Sequence, residues 1–207
     1  MPEWVSLKGL INYSDAVSMM QQHVDKVIEG SAQEVVFLLE HEDVYTTGTS
    51  YDKRELLNTQ DIPVIHSRRG GRVTYHGPGQ RVIYPILNLT KQNRAKDIRL
   101  YIRNLEQWAI NSLAAMGVKA YTIDGMVGIW VDKLNQPAKI GAIGVRVKKW
   151  ITYYGMAINI STDLKKFSGI IPCGINNFPT LSLNDLGITV TLEEFDTLLQ
   201  QEFKEIF

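Results

Sequence analysis

The chain has 207 residues, 44% of them hydrophobic and 21% charged, with 22 basic and 22 acidic side chains and no net charge. That length and composition fit one soluble domain with a full core, and the absence of a basic excess disfavours a nucleic-acid partner. Cys173 is the only cysteine, which excludes an intrachain disulfide and fits a reducing compartment. No basic flank leads into an apolar run at the N-terminus, and no stretch of about 18 apolar residues occurs, so a cytoplasmic protein without a membrane span is expected.

In chain order, Ser14 and Asp15 read as a helix start. Val17, Met20, Val24, Val27 and Ile28 then recur at helical spacing, and Gly30 fits the end. EVVFLLE (34–40) reads as a buried strand, and PVIHS (63–67), GRVTY (71–75) and RVIYPILNL (81–89) as three more. Asp97 opens a long helix with Ile98, Ile102, Leu105, Ala109, Leu113 and Met116 on one face and Gly117 at its close. VKAYTI (118–123), VGIWVD (127–132) and KIGAIGVRV (139–147) are strands, with LNQP (134–137) turning between the last two. WITYYGMAINI (150–160) is expected to pair with 139–147 across a Lys148–Lys149 turn, and a short helix near 163–167 follows. Thr191 with Glu194 makes a capping box, after which Leu192, Phe195, Leu198, Leu199, Phe203 and Ile206 form one stripe. The predicted class is α+β: a single domain over 1–207 with a mixed, largely antiparallel sheet flanked by helices.

The chemistry concentrates in three places. RRGGRVTYHGPGQ (68–80) has four glycines and one histidine, so a ligand can approach its main chain closely. A phosphate loop is a poor reading, because Gly-Lys-Ser/Thr and GxGxxG are both missing and no helix follows. By glycine count a structural turn and a ligand cradle weigh equally; a proline between glycines, with His76 and Gln80 beside it, favours the cradle. Singly, His76, His41 and His66 each read more readily as structural histidines than as catalysts, and His23 as a surface residue. No histidine pair has metal-ligand spacing, so no zinc site is expected.

Cys173 stands between Pro172 and Gly174 in IIPCGI. A lone cysteine is most often a small buried hydrophobe, but a loop setting suits a reactive thiol if a base or positive charge stands close. Lys139 is the candidate. With regular alternation it shares a strand face with Gly141, Ile143, Val145 and Val147, leaving Arg146 and Lys148 to solvent. A lysine on an apolar face is unusual, and burial lowers an ammonium's pKa toward that of a proton acceptor. A strand-end lysine that snorkels to water is the plain alternative.

RGGRVTYHGPGQ, KIGAIGVRV, YYGMAINI and IIPCGI, in this order and spacing, closely resemble the lipoyl(octanoyl) transferase family, and EHEDVYTTG (40–48) resembles its early segment. The resemblance covers nearly the whole chain. It implies the fold of the lipoate and biotin protein ligase catalytic domains. It also implies ping-pong transfer of an octanoyl group from octanoyl-acyl carrier protein to a lysine of lipoyl domains, those of 2-oxoacid dehydrogenase complexes and the glycine cleavage H protein. By the same resemblance Cys173 carries the acyl-enzyme and Lys139 activates it. Substrate contacts fall on Arg69, Gly70, Gly71, Arg72, Val73, Thr74, Tyr75 and His76, on Ala142, Ile143 and Gly144, and on Gly155, Met156 and Ala157. Neither cofactor nor metal is implied. The sequence departs from the family pattern at Tyr154, where members commonly have histidine, and at TLSL (180–183), where they have Val-Thr-Ser-Leu. An ATP-dependent lipoate ligase and a non-catalytic carrier-binding module remain the alternatives. A basic rim for an acidic carrier protein is expected from Arg68, Arg69, Arg72, Lys148 and Lys149, with backbone N–H groups near Cys173 or in the glycine loop to hold an oxyanion.

Overall fold

The computed structural model describes residues 1–59, 61–91, 94–174 and 178–207. Its strands are β1 (Glu3–Ile11), β2 (Val35–His41), β3 (Val44–Thr47), β4 (Val64–His66), β5 (Thr74–His76), β6 (Gln80–Ile86), β7 (Ala120–Ile123), β8 (Met126–Lys133), β9 (Gln136–Lys148) and β10 (Ile151–Asn159). Its helices are α1 (Tyr13–Glu29), α2 (Ile98–Ala114) and α3 (Leu192–Ile206). Seven strands form one sheet in the order β1-β2-β6-β10-β9-β8-β7, antiparallel throughout except for the β1–β2 pair. A second, three-stranded sheet runs β4-β3-β5. The class is therefore α+β with a mixed, largely antiparallel sheet, as predicted. No helix is long and apolar enough to cross a membrane among the described residues.

The central strands are apolar on both faces because both faces are covered. On β2, Val36 and Leu38 enter the core beneath α2 and α3, while Val35, Phe37 and Leu39 pack against α1. The α2–α3 side is apolar and aromatic. Trp108 is fully buried, stacks edge-on against Phe203, and its Nε1–H donates to the Leu199 carbonyl at 2.8 Å. The expected capping box of Thr191 and Glu194 opens α3, and Asp97 caps α2 as read.

Several boundaries differ from the sequence reading. Asn12, not Ser14 or Asp15, caps α1, its side chain accepting from Ser14 N–H. β1 and β3 escape the pattern reading: β1 is a largely uncovered edge strand with no clean alternation, and β3 is four residues long. The β9–β10 hairpin turns on Lys149–Trp150, both at positive φ (48° and 66°), one residue later than expected. Leu134–Asn135 makes the equivalent turn between β8 and β9.

Strand β9 is not regular. Its register against β8 slips by one between the Ile129–Gly141 and Trp130–Lys139 pairs, so that two residues of β9 advance for one of β8. Ala138 and Ile140 therefore face the α2–α3 core together with Val145, while Lys139 joins the opposite face with Ala142 and Ala157. The expected sharing of a face among Lys139, Gly141, Ile143, Val145 and Val147 is corrected by this bulge: a slip of one residue exchanges the two faces. The neighbouring charges differ too. The Arg146 guanidinium donates to the Arg68 carbonyl, and Lys148 pairs with Asp25.

Candidate active site

Cys173 occupies a short 3-10 turn, Pro172–Gly174, and takes φ 56°, ψ 14°, a left-handed conformation uncommon outside glycine and asparagine. Hydrogen bonds hold the turn. Cys173 N–H donates to the Val73 carbonyl (2.8 Å), Gly174 N–H to Ile171 (3.0 Å) and Ile171 N–H to Glu55 (2.8 Å). Glu55 is buried; its carboxylate pairs with the Arg72 guanidinium and also accepts from Val73 N–H. Arg72 in turn lies against Gly174, where a Cβ would come within 2.6 Å of its Nε. Glu55 thus ties the glycine loop to the cysteine turn, and nothing in its surroundings in the sequence marks it out. Ile175, the last residue of the IIPCGI motif, lies outside the described residues.

Lys139 meets this turn from the other side. Its Nζ lies 3.2 Å from Cys173 Sγ, donates to the Val127 carbonyl at 2.9 Å, and sits 5.3 Å from the centre of the Trp130 ring. A carbonyl, a sulfur and an aromatic ring thus fix the position of Nζ. The backbone of Lys139 is clamped by Pro179 and Leu181, which bond its N–H and C=O at 2.8 Å each. That clamp is the structural use of the TLSL segment. The side chain crosses β8 at Gly128, whose φ is 136° and where an added Cβ would fall 2.4 Å from Lys139 Cε; only glycine fits there.

The glycine loop lies between the 48–50 segment and β9. Thr49 N–H donates to Arg69 O, Ser50 N–H to Gly71 O and Gly48 N–H to Arg72 O, while Gly70 N–H donates to Val145 O. Arg69 is buried rather than part of a rim: it donates to the Thr46 carbonyl and hydroxyl and to the Gly70 carbonyl. With Arg72 on Glu55 and Lys148 on Asp25, the expected basic rim is largely taken up by internal pairs.

Above β6, β9 and β10 opens a cavity of about 420 Å³, lined by Cys173 and Gly174 together with residues of the loop and the sheet. Arg69, Gly71, Arg72, Thr74 and His76 line it, as do Ala142, Ile143, Gly144, Gly155, Met156 and Ala157. Gly70 serves by its backbone, and Val73 and Tyr75 point away into a small cluster with Tyr45 and Phe167. Sequence reasoning missed Tyr13, Val82, Tyr84 and Met126 in the wall, because they are scattered apolar or aromatic positions with no local signature. Tyr154 also lines the cavity, buried against Tyr153 and Tyr84 at φ 57°, and burial pushes its phenol up to about 12. A narrower recess joins Cys173 to Lys139, Thr74, Gln80 and Asn159.

His76 is held by a chain of amides. Asn159 Nδ2 donates to Leu181 O, Gln80 Nε2 donates to Asn159 Oδ1 and Tyr75 O, and Gln80 Oε1 is left to accept from His76 Nδ1–H at 2.6 Å. His76 therefore presents Nε2 as an acceptor. Burial first, and then His41 and Arg69, hold its pKa well below the ordinary value, so the ring stays neutral. His41, donating from Nδ1 to Ile11 O and accepting from Tyr84 O–H, is lowered by burial to about 4. Among the described residues no cluster of three His, Cys, Asp or Glu side chains could hold a metal.

The site thus sets a thiol beside a buried lysine at the edge of a mainly apolar cavity on this sheet. Residues 12–204 match the lipoyl protein ligase A/B catalytic domain model, and the chain belongs to that family. The octanoyltransferase of Rickettsia bellii is 56% identical over the full length of both chains. The bipartite lipoate protein ligase of Thermoplasma acidophilum superimposes with a TM-score of 0.74 at 17% identity, covering 100% of this chain and 84% of that one. The biotin acetyl coenzyme A carboxylase synthetase of Helicobacter pylori gives 0.58 at 11% identity over 100% and 76%. These last two likenesses speak to the fold alone.

Proposed function

We propose that residues 1–207 act as a single octanoyltransferase domain, carrying the octanoyl group on Cys173 between an acyl-carrier thioester and a lysine amine of a lipoyl domain. The enzyme class follows the family and its full-length relatives. The observation that carries the mechanism is the 3.2 Å approach of Lys139 Nζ to Cys173 Sγ beside the cavity.

Lys139 takes the thiol proton, and the thiolate attacks the carbonyl carbon of octanoyl-acyl carrier protein. The carbonyl π electrons move to oxygen; on collapse the carrier's sulfur leaves and recovers the proton as its thiol. The acceptor's lysine amine then attacks the Cys173 thioester, an amide forms, and the cysteine leaves as thiolate, with Lys139 placed to accept the amine's proton. Thioester to thioester to amide runs downhill, so the chemistry requires no ATP. The lipoyl domains of 2-oxoacid dehydrogenase complexes and the glycine cleavage H protein are the acceptors this reading implies. A free thiol nucleophile suits a reducing compartment such as the cytoplasm.

The test is intact-protein mass after mixing with octanoyl-acyl carrier protein without ATP, followed by peptide mapping. The expected result is one octanoyl group on Cys173, discharged when a lipoyl domain is added and missing from Cys173→Ser. Octanoylation of a lipoyl domain only when free octanoate and ATP are supplied would make the chain a ligase instead. Lys139→Arg separates two roles for the lysine: arginine keeps the charge but accepts no proton, so an undiminished acylation rate would leave Lys139 as a fixed cation.

A further inference from the structure

We infer that the Thr74 hydroxyl holds the oxyanion formed when Cys173 is acylated, an inference that rests on the function proposed above. A tetrahedral intermediate places negative charge on the former carbonyl oxygen, and aimed donors there are usually the largest single source of rate. Among the described residues, the two amides of the cysteine turn and that of Gly70 are engaged. Cys173 N–H is bonded to Val73 O, Gly174 N–H to Ile171 O, and Gly70 N–H to Val145 O. The Cys173 and Gly174 amides are therefore engaged in holding the turn, and Lys139 Nζ is occupied by the Val127 carbonyl and the sulfur itself.

Thr74 is placed where those amides fall short. It follows directly on Val73, whose carbonyl clamps Cys173. On β5, Tyr75 points to the small cluster with Phe167, so Thr74 and His76 share the opposite face toward the cavity. Besides Cys173, three residues line both the cavity and the recess that holds Lys139: Thr74, Ala142 and Ala157. Of these side chains only threonine's can donate a hydrogen bond. Thr74 is 7% exposed. The Thr46 hydroxyl across the strand pair accepts from Arg69, but the Thr74 hydroxyl has no such partner among the described residues. The Thr74 side chain lines the cavity, where a developing oxyanion would supply a partner. Thr74 O–H donates to that oxygen while the C–S bond to Cys173 forms, and releases it when the carbonyl reforms and the carrier thiol departs.

Acyl-enzyme formation followed by mass after rapid mixing, at several donor concentrations, tests this. Thr74→Val keeps shape and strand preference and removes the donor. It is expected to acylate about 10²–10³-fold more slowly at saturation, with half-saturating donor concentration and melting temperature close to wild type. Thr74→Ser should recover most of the rate. A folded Thr74→Val that acylates at the wild-type rate overturns the inference, as does a Thr74→Ser as slow as the valine variant. Should valine prevent folding, Thr74→Ala against Thr74→Ser carries the same comparison. A wild-type protein that forms no adduct overturns the proposed function and this inference with it; wild type and Thr74→Val acylating alike overturns only the latter.

Discussion

The two faces of the seven-stranded sheet are covered in opposite ways. On one, α2 and α3 close an apolar core of Leu105, Trp108, Phe195 and Phe203 over Ile140, Val145 and Ile158, where the Trp108 indole N–H has a carbonyl partner and Arg81 is paired with Asp196. On the other, α1 covers only part of the surface. The rest is a cavity ringed by Arg69, His76, Tyr84 and Tyr154, with Lys139 and Cys173 in the recess beside it. Strand β10 serves both, sending Ile158 into the apolar core and Ala157 toward the cavity. Buried polar groups cost free energy unless they are bonded. The cavity face carries its bonding as amide chains and carbonyl clamps, whereas the other face concentrates it in the Arg81–Asp196 pair. One face supplies stability and the other gives up part of it to hold reactive groups in place.

Three measurements sharpen or break that contrast. The largest stability effect belongs to the apolar face. Trp108→Ala removes a fully buried indole and its hydrogen bond and should cost about 3–5 kcal/mol in urea unfolding, while the acylation rate per folded molecule stays at the wild-type value. A large rate loss in protein that remains folded would mean the faces are not separable. Next is Gly128→Ala, at φ 136° with its added Cβ 2.4 Å from Lys139 Cε. It should cost about 1–3 kcal/mol and, by displacing Nζ from Cys173, lower acyl-enzyme formation by about tenfold or more. Wild-type acylation there would show that Lys139 needs no fixed path.

The third is pH. Unfolded histidine gains a proton below about pH 6.5, whereas folded His41 is lowered by burial to about 4 and His76 lies well below its ordinary value. Between those limits the unfolded chain binds more protons, so stability is complete above pH 6.5 and falls as pH drops toward 4. His41 alone should remove about 2 kcal/mol between pH 7 and pH 5, read as a lower urea midpoint. An unchanged midpoint would mean that the histidines on the cavity face are not held neutral.

Much of this architecture is readable from residue order. The stripe of α3 and its Thr191–Glu194 box, the Asp97 cap of α2, the apolar run of β2 and the hairpin of β9 and β10 follow from periods and caps that act within a few residues. The motif residues around Cys173 and in the glycine loop are readable for the same reason, since each is a short run of unusual composition. The 3.2 Å meeting of Lys139 with Cys173 is different in kind. Alternation places Lys139 on the wrong face of β9, and a one-residue bulge against β8 turns it toward the sulfur. A bulge is a property of two strands together, so no reading of one segment contains it. Glu55, bonded to Arg72 and to the Val73 amide, and Gly128, beneath the Lys139 side chain, are likewise defined by partners distant in sequence. Residue order thus settles the elements and the chemical kinds of side chain available, because those depend on local propensity and periodicity. Which face Lys139 occupies, which amides remain free near Cys173 and where the cavity lies are settled only in the folded molecule, because each depends on which carbonyls and side chains long-range packing brings alongside.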